Sequence, residues 1–381
     1  MNFRKVLRFT NCKLFSHIVN YSGKRESDMI GARLKVARAA SGHSLRELAA
    51  RIGGLVTPQA IGKYERNEDM PSSRVLIALA EALGVTEDYL LSDEELVLEG
   101  IEFRKRVPSS REEATIEART IHLLERYLAV EDLLQMRSVD WEKPRSAPHP
   151  VNDLHDAEDA ARSVREDWGL GNDPIPKLAE LLEERGIKIL SLDLDDIDGL
   201  AAKVRRKDRE AARVIVVRKD TWSERKRFTL AHELGHMVIA PAQDVDPEKA
   251  AHRFAGAFLM PADAIRAEVG ANRSSISIGE LVALKGRFGA SIQAIAYRCK
   301  DLGIISGPAF SQLFRVFATR GWRSYPYKEP ETIPPEREEP KRFERLCYRA
   351  LAEKVIGEAR AAEFLGISVR ELEARLDQGA T

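Results

Sequence analysis

Between residues 30 and 92 the apolar positions recur at helical spacing in short runs separated by tight turns. Ile30, Leu34, Ala37 and Ala40 predict a first helix, which Ser41 and Gly42 end. Ser44 starts a second, with Glu47 three residues on completing a capping box and Leu45, Leu48, Ala49 and Ile52 forming its apolar face. Gly53 and Gly54 break it. Thr57 and Pro58 then open a third helix, a cap residue followed by proline at the first helical position. A fourth follows Pro71 and Ser72, with Val75, Leu76, Leu79, Ala82 and Leu83 facing inward until Gly84, and 86–91 form a closing turn.

The pattern then changes. Residues 93–150 mix charge with some helical periodicity at Leu123, Leu124, Tyr127, Leu128 and Leu133. They end in a proline-rich run, 141–150, which reads as a linker and places the domain boundary there. From 151 to 270 two helices precede three β-like runs at 187–192, 200–204 and 214–217, and two further helices occupy 225–239 and 247–259. Residues 271–381 read as helical, with a Pro/Glu-rich interruption at 329–340. The expected fold class is mainly α (α+β), an all-α domain at 30–92 and an α+β domain at 151–270. A helical connector (93–150) joins them, and a helical C-terminal region (271–381) follows.

Composition narrows this picture. A chain of 381 residues is too long for one ordinary core. Zero formal net charge gives no whole-chain attraction to nucleic acid, so any DNA contact must come from a local basic face. Cys12, Cys299 and Cys347 are far apart, which excludes a disulfide framework and fits the reducing cytoplasm. No apolar run approaches the ~18 residues that span a bilayer, so no membrane partner is expected. The first 28 residues are basic, with no acidic residue before Glu26. A transit peptide has that character. The preferred reading is an upstream, disordered extension over 1–29, because Met29 directly precedes a helical pattern.

The sharpest chemical signal is His232-Glu233-Leu234-Gly235-His236, an H-E-x-x-H motif. On a helix, positions i and i+4 share one face, so both imidazoles reach a single ion. Glu233, offset by about 100°, instead reaches a metal-bound water as general base. Phe228, Leu230, Ala231 and Leu234 make this helix apolar enough to be buried, and buried histidines require a partner. A catalytic Zn2+ calls for a third protein ligand and an open fourth position. Glu248 is the candidate, one residue into a helix opened by Asp246 and Pro247; its alternative role is simple stabilisation of the helix dipole. His252, one turn on, is expected to orient a ligand, with an all-histidine site as the alternative.

The runs Arg227–His236 and Glu248–Pro261 resemble the ImmA/IrrE family of zinc metallopeptidases, over about residues 150–310. The resemblance implies a zincin-like domain in which His232, His236 and Glu248 bind zinc and Glu233 is the general base. At position 252 the family often has Asn or Asp where this chain has His252. Active members cleave repressor or antitoxin-like proteins, which makes such a protein the implied substrate.

Residues 30–92 resemble an Xre/lambda-repressor-type helix-turn-helix domain, carried by Leu45–Ala49, Val56–Ile61, Tyr64–Arg66 and Pro71. The turn is two residues longer than the commonest pattern. Docking of the third helix in the major groove would direct Thr57, Gln59 and Lys63 to base edges, and Ser44, Arg46 and Arg66 to phosphates. A homodimer on a palindromic double-stranded operator is the corresponding expectation. Near balance of acidic and basic residues leaves a protein-interaction module as the alternative. Two later segments, 278–302 and 361–376, share a helix–Gly turn–helix outline and are read as hairpins packing on the peptidase core. For the whole chain, a regulator whose metal domain senses a ligand without proteolysis is the second reading.

Overall fold

The computed structural model describes residues 30–91, 96–103, 110–136, 141–194, 197–206, 209–324 and 326–378. The extension expected over 1–29 lies outside the described residues. Contacts divide the described chain into two units, residues 30–35 with 45–91, and residues 36–44 with the chain from 96 on.

Among the described residues five helices precede the first strand: α1 (Ile30–Ala40), α2 (Leu45–Arg51), α3 (Pro58–Glu65), α4 (Ser73–Leu83) and α5 (Glu87–Leu91). Within the first unit α2 packs on α3 and α4, and α4 on α5. The positions that carried the helical periodicity (Leu34, Leu48, Ile52, Ile61, Leu79 and Leu83) are buried. The turn between α2 and α3 uses Gly53 and Gly54 in succession at φ +68° and +70°, a conformation that L side chains rarely adopt.

The second unit is a four-stranded sheet between two helical layers. Its elements in chain order are β1 (Leu96–Phe103), α6 (Ser110–Leu133), β2 (His149–Val151), α7 (Asp156–Asp167), α8 (Leu178–Glu184), β3 (Ile187–Leu192), β4 (Gly199–Arg206) and β5 (Arg209–Arg218). There follow α9 (Ser223–Val238), β6 (Ile239–Pro241), α10 (Pro247–Leu259), α11 (Ala262–Val269), α12 (Ile278–Phe288), α13 (Ile292–Asp301) and α14 (Gly307–Thr319). The last three are α15 (Arg342–Ala352), α16 (Glu358–Leu365) and α17 (Val369–Gln378). Strand order is β1-β4-β5-β3, with β4 antiparallel to β1 and β5, and β3 parallel to β5.

Both sheet faces are covered, which explains the unbroken apolar run in β5. Ile215 and Val217 enter one core with α7–α14, whereas Val214 and Val216 enter a second with α6 and α15–α17. The expected hairpin α12–α13 packs in the first core and α16–α17 in the second.

The stretch expected as a helical connector differs from its reading. Leu96 and Leu98 are buried and Val97 exposed, so β1 alternates as a half-covered edge strand and pairs with β4. In the sequence Leu96, Val97 and Leu98 are all apolar, so no alternation shows before Glu99 and Gly100, and the run is too short to stand out in a charged stretch. Helix α6 covers the second sheet face through Ile121, Leu124, Tyr127 and Leu128. The proline-rich run ends in β2, which pairs in parallel with β6 directly after the motif helix.

Candidate functional site

Helix α9 lies on β4 and β5 with its apolar residues Leu230, Ala231, Leu234 and Val238 in the first core. That burial fixes the helix's rotation, and the rotation points His232 and His236 at α10. Helix α10 begins as the sequence predicts: Asp246 accepts from the backbone N–H groups of Glu248 and Lys249, and Pro247 follows it. Gly235 lets the two helices meet. A Cβ there would stand 3.1 Å from Phe254 Cδ1 and 3.4 Å from Ala251 Cα.

The result is a cluster of three donors, His232, His236 and Glu248. The two Nε2 atoms are 3.0 Å apart, and Glu248 lies 3.3 Å from His232 Nε2 and 3.1 Å from His236 Nε2. Ligands ~2.0–2.2 Å from a tetrahedral zinc stand roughly 3.3–3.6 Å from one another, so two imidazoles and a carboxylate 3.0–3.3 Å apart come within a few tenths of an ångström of the spacing such an ion needs. His232 is fully buried while the Glu248 side chain is 55% exposed, which leaves one side of the cluster open to solvent. The hydrogen bond from His232 holds the Glu248 carboxyl down to about 2, with His236 and His252 adding to it and burial opposing.

Glu233 is outside this cluster and buried. Its carboxylate faces the start of β4: a Cβ on Gly199 would lie 3.8 Å from Glu233 Oε1 and only 2.6 Å from Thr229 Cγ2 and 2.8 Å from the Val216 carbonyl. Gly199 therefore sets how closely the sheet passes under the motif helix, a role that no periodicity in the sequence signals. His252 is also outside the donor cluster. Its Nδ1 donates to the Glu248 carbonyl at 2.8 Å, and its ring packs edge-on to His232 at 4.5 Å.

Long-range ion pairs hold the surrounding helices. Arg298, 2% exposed, donates to the Met260 carbonyl at 2.9 Å and to both Glu158 oxygens at 2.9 and 3.2 Å, tying α13 to α10 and α7. The Pro/Glu-rich interruption is a strap on α9. Glu338, in a short 3-10 turn at Pro335–Glu338, is buried and accepts from Arg227 at 2.8 Å, while Lys226 reaches Glu339 and Ser223 the Pro334 carbonyl. Glu329 accepts from Lys285 and from the N–H of Ile292. These contacts join residues 37–140 positions apart, beyond any pattern visible along the chain.

In the first unit the Thr57 hydroxyl caps α3 by accepting from Ala60 N–H at 3.2 Å. Gln59 and Lys63 on α3 are exposed, as are Thr57 and Arg46, while Ser44 is half-buried. Arg66 is already engaged by a two-pronged pair with Glu68 at 2.7 and 2.8 Å. Gly31 approaches the end of α3 closely, its N–H donating to Asn67 Oδ1 at 2.8 Å where a Cβ would clash with the Glu65 and Tyr64 carbonyls.

Among the described residues no helix is long and apolar enough to cross a membrane. The helix-turn-helix family profile matches residues 34–90, and the profile described as IrrE N-terminal-like domain matches residues 182–300. Over 63 residues the chain is 40% identical to the SPbeta prophage-derived uncharacterized HTH-type transcriptional regulator YonR of Bacillus subtilis (strain 168), an overlap of 16% of this chain and 56% of that protein. The chain thus spans little more than half the length of that relative. No solved structure matches it. With the donor cluster lying inside the second matched region, the chain joins an Xre-type helix-turn-helix domain, of the kind found in DNA-binding transcription regulators, to an IrrE-like domain of the ImmA/IrrE metallopeptidase family.

Proposed function

We propose that the chain is a cytoplasmic transcriptional regulator that binds a palindromic operator as a homodimer and carries a zinc-dependent endopeptidase, which cleaves a regulatory protein such as a repressor or antitoxin. The observation that supports this reading best is the division of labour on one helix turn, with His232 and His236 joined to Glu248 while Glu233 is held apart. His232, His236 and Glu248 would hold the ion. A zinc ion held there would supply Lewis acidity for a water and a peptide carbonyl. Glu233 takes the proton released as water attacks that carbonyl and passes it to the departing amide nitrogen, so that one carboxylate serves as base and then as acid. His252 positions the ligands, since it bonds the Glu248 backbone and packs on His232.

On the DNA side, Gln59 suits a bidentate contact to adenine and Lys63 the guanine acceptors, with Thr57 beside them. Ser44, Arg46 and Arg66 serve phosphates, Arg66 after exchanging Glu68 for the backbone.

The rival reading, a regulator that senses a ligand through its metal domain without proteolysis, leaves Glu233 without a task, because a purely structural zinc needs no neighbouring base. Glu233→Gln separates the two. It is expected to keep one equivalent of zinc and full operator binding while losing cleavage of the target protein by at least about a hundredfold. Cleavage that survives the substitution overturns the mechanism.

A further inference from the structure

A cleft of about 900 Å³ opens between α10 and α13 and reaches the metal cluster on its Glu248 and His252 side. That volume lies near the top of the roughly 300–1,000 Å³ range of small-ligand sites, and it exceeds what one side chain fills. Its inner walls carry several charges, and each is already matched. Glu224 and Glu329 flank Lys285 at 2.6 and 3.2 Å, Arg298 is held by Glu158 and the Met260 carbonyl, and Arg253 lies between Glu158 and Asp301.

What the cleft offers an occupant is therefore aromatic surface and two rim cations. Trp222, Phe228, Tyr297 and Tyr327 line it. Tyr297 is 49% exposed, yet its ring is fixed against Phe310 and Phe314 at 4.9 Å each, a rigid platform rather than a mobile side chain. On the same face of α13, one turn on, Lys300 is exposed and stands over the Phe310 ring at 4.6 Å. Across the cleft Lys249 is 72% exposed, its nearest carboxylate the capping Asp246 at 3.5 Å. The rim carboxylates are committed, Glu248 to the histidines, Asp246 to the α10 cap and Asp301 to Arg253.

We infer that this cleft receives the substrate polypeptide on one side of the scissile bond, and that it selects an extended segment with a large apolar or aromatic side chain followed or preceded by an acidic residue. Tyr297 is the platform for the ring, and Lys249 with Lys300 selects the acid. The inference rests on the peptidase reading, but binding tests it without turnover.

The decisive measurement uses the full chain as Glu233→Gln, loaded with zinc, and fluorescent eight-residue peptides that carry Phe or Leu beside Glu, Lys or Ser. The Phe–Glu peptide is expected to bind at least tenfold more tightly than its Phe–Lys counterpart. Tyr297→Ala should weaken all aromatic peptides about tenfold, and the Lys249→Glu/Lys300→Glu pair should reverse the charge preference, with zinc content unchanged in both. Equal binding of all peptides, or variants that bind like the parent, overturns the inference. Wild-type protein that binds the preferred peptide without cutting it sinks the peptidase reading while the cleft assignment stands. Cleavage that ignores both substitutions does the opposite.

Discussion

Helices α9 and α3 both carry the chemistry of their units, and they do so under opposite constraints. Twelve of the sixteen residues of α9 are buried, so the polar side chains among them had to be matched by groups from the sheet, α10 or the strap. In α3 only Ile61, Gly62 and Tyr64 are buried, and the residues expected at base edges face solvent. A buried helix can tolerate His-Glu-x-x-His only if something answers each group, so the motif implies its own surroundings. An exposed recognition helix tolerates almost any polar residue, and its sequence specifies a target without specifying a neighbour.

Substitutions that leave a buried charge unanswered test the first half of that contrast and should have the largest effects. Lys188, in β3, is 2% exposed and pairs with Glu131 at 2.6 Å beneath the Tyr127 ring, and the other cation near Glu131, Arg342, stands farther off at 3.7 Å. Lys188→Met is expected to lower the stability of the second unit by about 3–5 kcal/mol in denaturant unfolding, and adding Glu131→Leu should restore most of it. An unchanged midpoint for the single substitution would show that the interior is far more forgiving than its burial implies.

Next comes pH. Burial raises the Glu183 carboxyl from 4.5 to about 7, against the opposing pull of the Arg342 N–H, Arg345 and Arg342, and with Glu180 adding to the rise. The folded protein thus holds this proton more tightly than the unfolded chain. The contribution is whole below pH 4.5 and is lost as pH climbs through 7, by at most about 3 kcal/mol. Glu183→Gln should flatten that limb of the stability profile; a slope of the same size in the variant would assign it to other groups.

A steric test is smaller still. Gly199→Ala puts a methyl 2.6 Å from Thr229 and 2.8 Å from a strand carbonyl, with an expected cost of about 1–3 kcal/mol. Because the same contact seats Glu233, turnover should fall more than zinc affinity. Smallest is the surface pair in the first unit. Glu68→Ala releases the Arg66 fork and should raise operator affinity by less than about fivefold, most clearly at low salt. A loss of affinity instead would mean that Glu68 orders the helix end for DNA.

The same contrast explains what could be read from the chain. Regular spacing was legible: the i, i+4 histidines, the cap at Asp246 and Pro247, the helices of 30–92, and the apolar runs of β3 and β5 all depend on neighbours a few residues away. The third donor was legible because a cap placed it in a first helical turn. Hidden were the features set by the meeting of distant segments. Gly199 and Gly235 signal nothing until a helix lies against them, Glu158 and Arg298 are 140 positions apart, and β1 opens with three consecutive apolar residues that show no alternation. Arg298, although it lines the cleft, is spent on Met260 and Glu158.

The strap over the motif helix has a consequence for the order of events during synthesis. Lys226 and Arg227 sit on the first two turns of α9, and their carboxylates, Glu339 and Glu338, leave the ribosome more than a hundred residues later. Until then two buried cations lack their counter-charges, and the helix that gathers the metal donors can dock its apolar face on the sheet only at the cost of leaving them unpaired. The helices of the first unit emerge well before that point. A nascent chain built this way can complete its helix-turn-helix end while its IrrE-like end is still unassembled, so a truncated product would carry the first without the second.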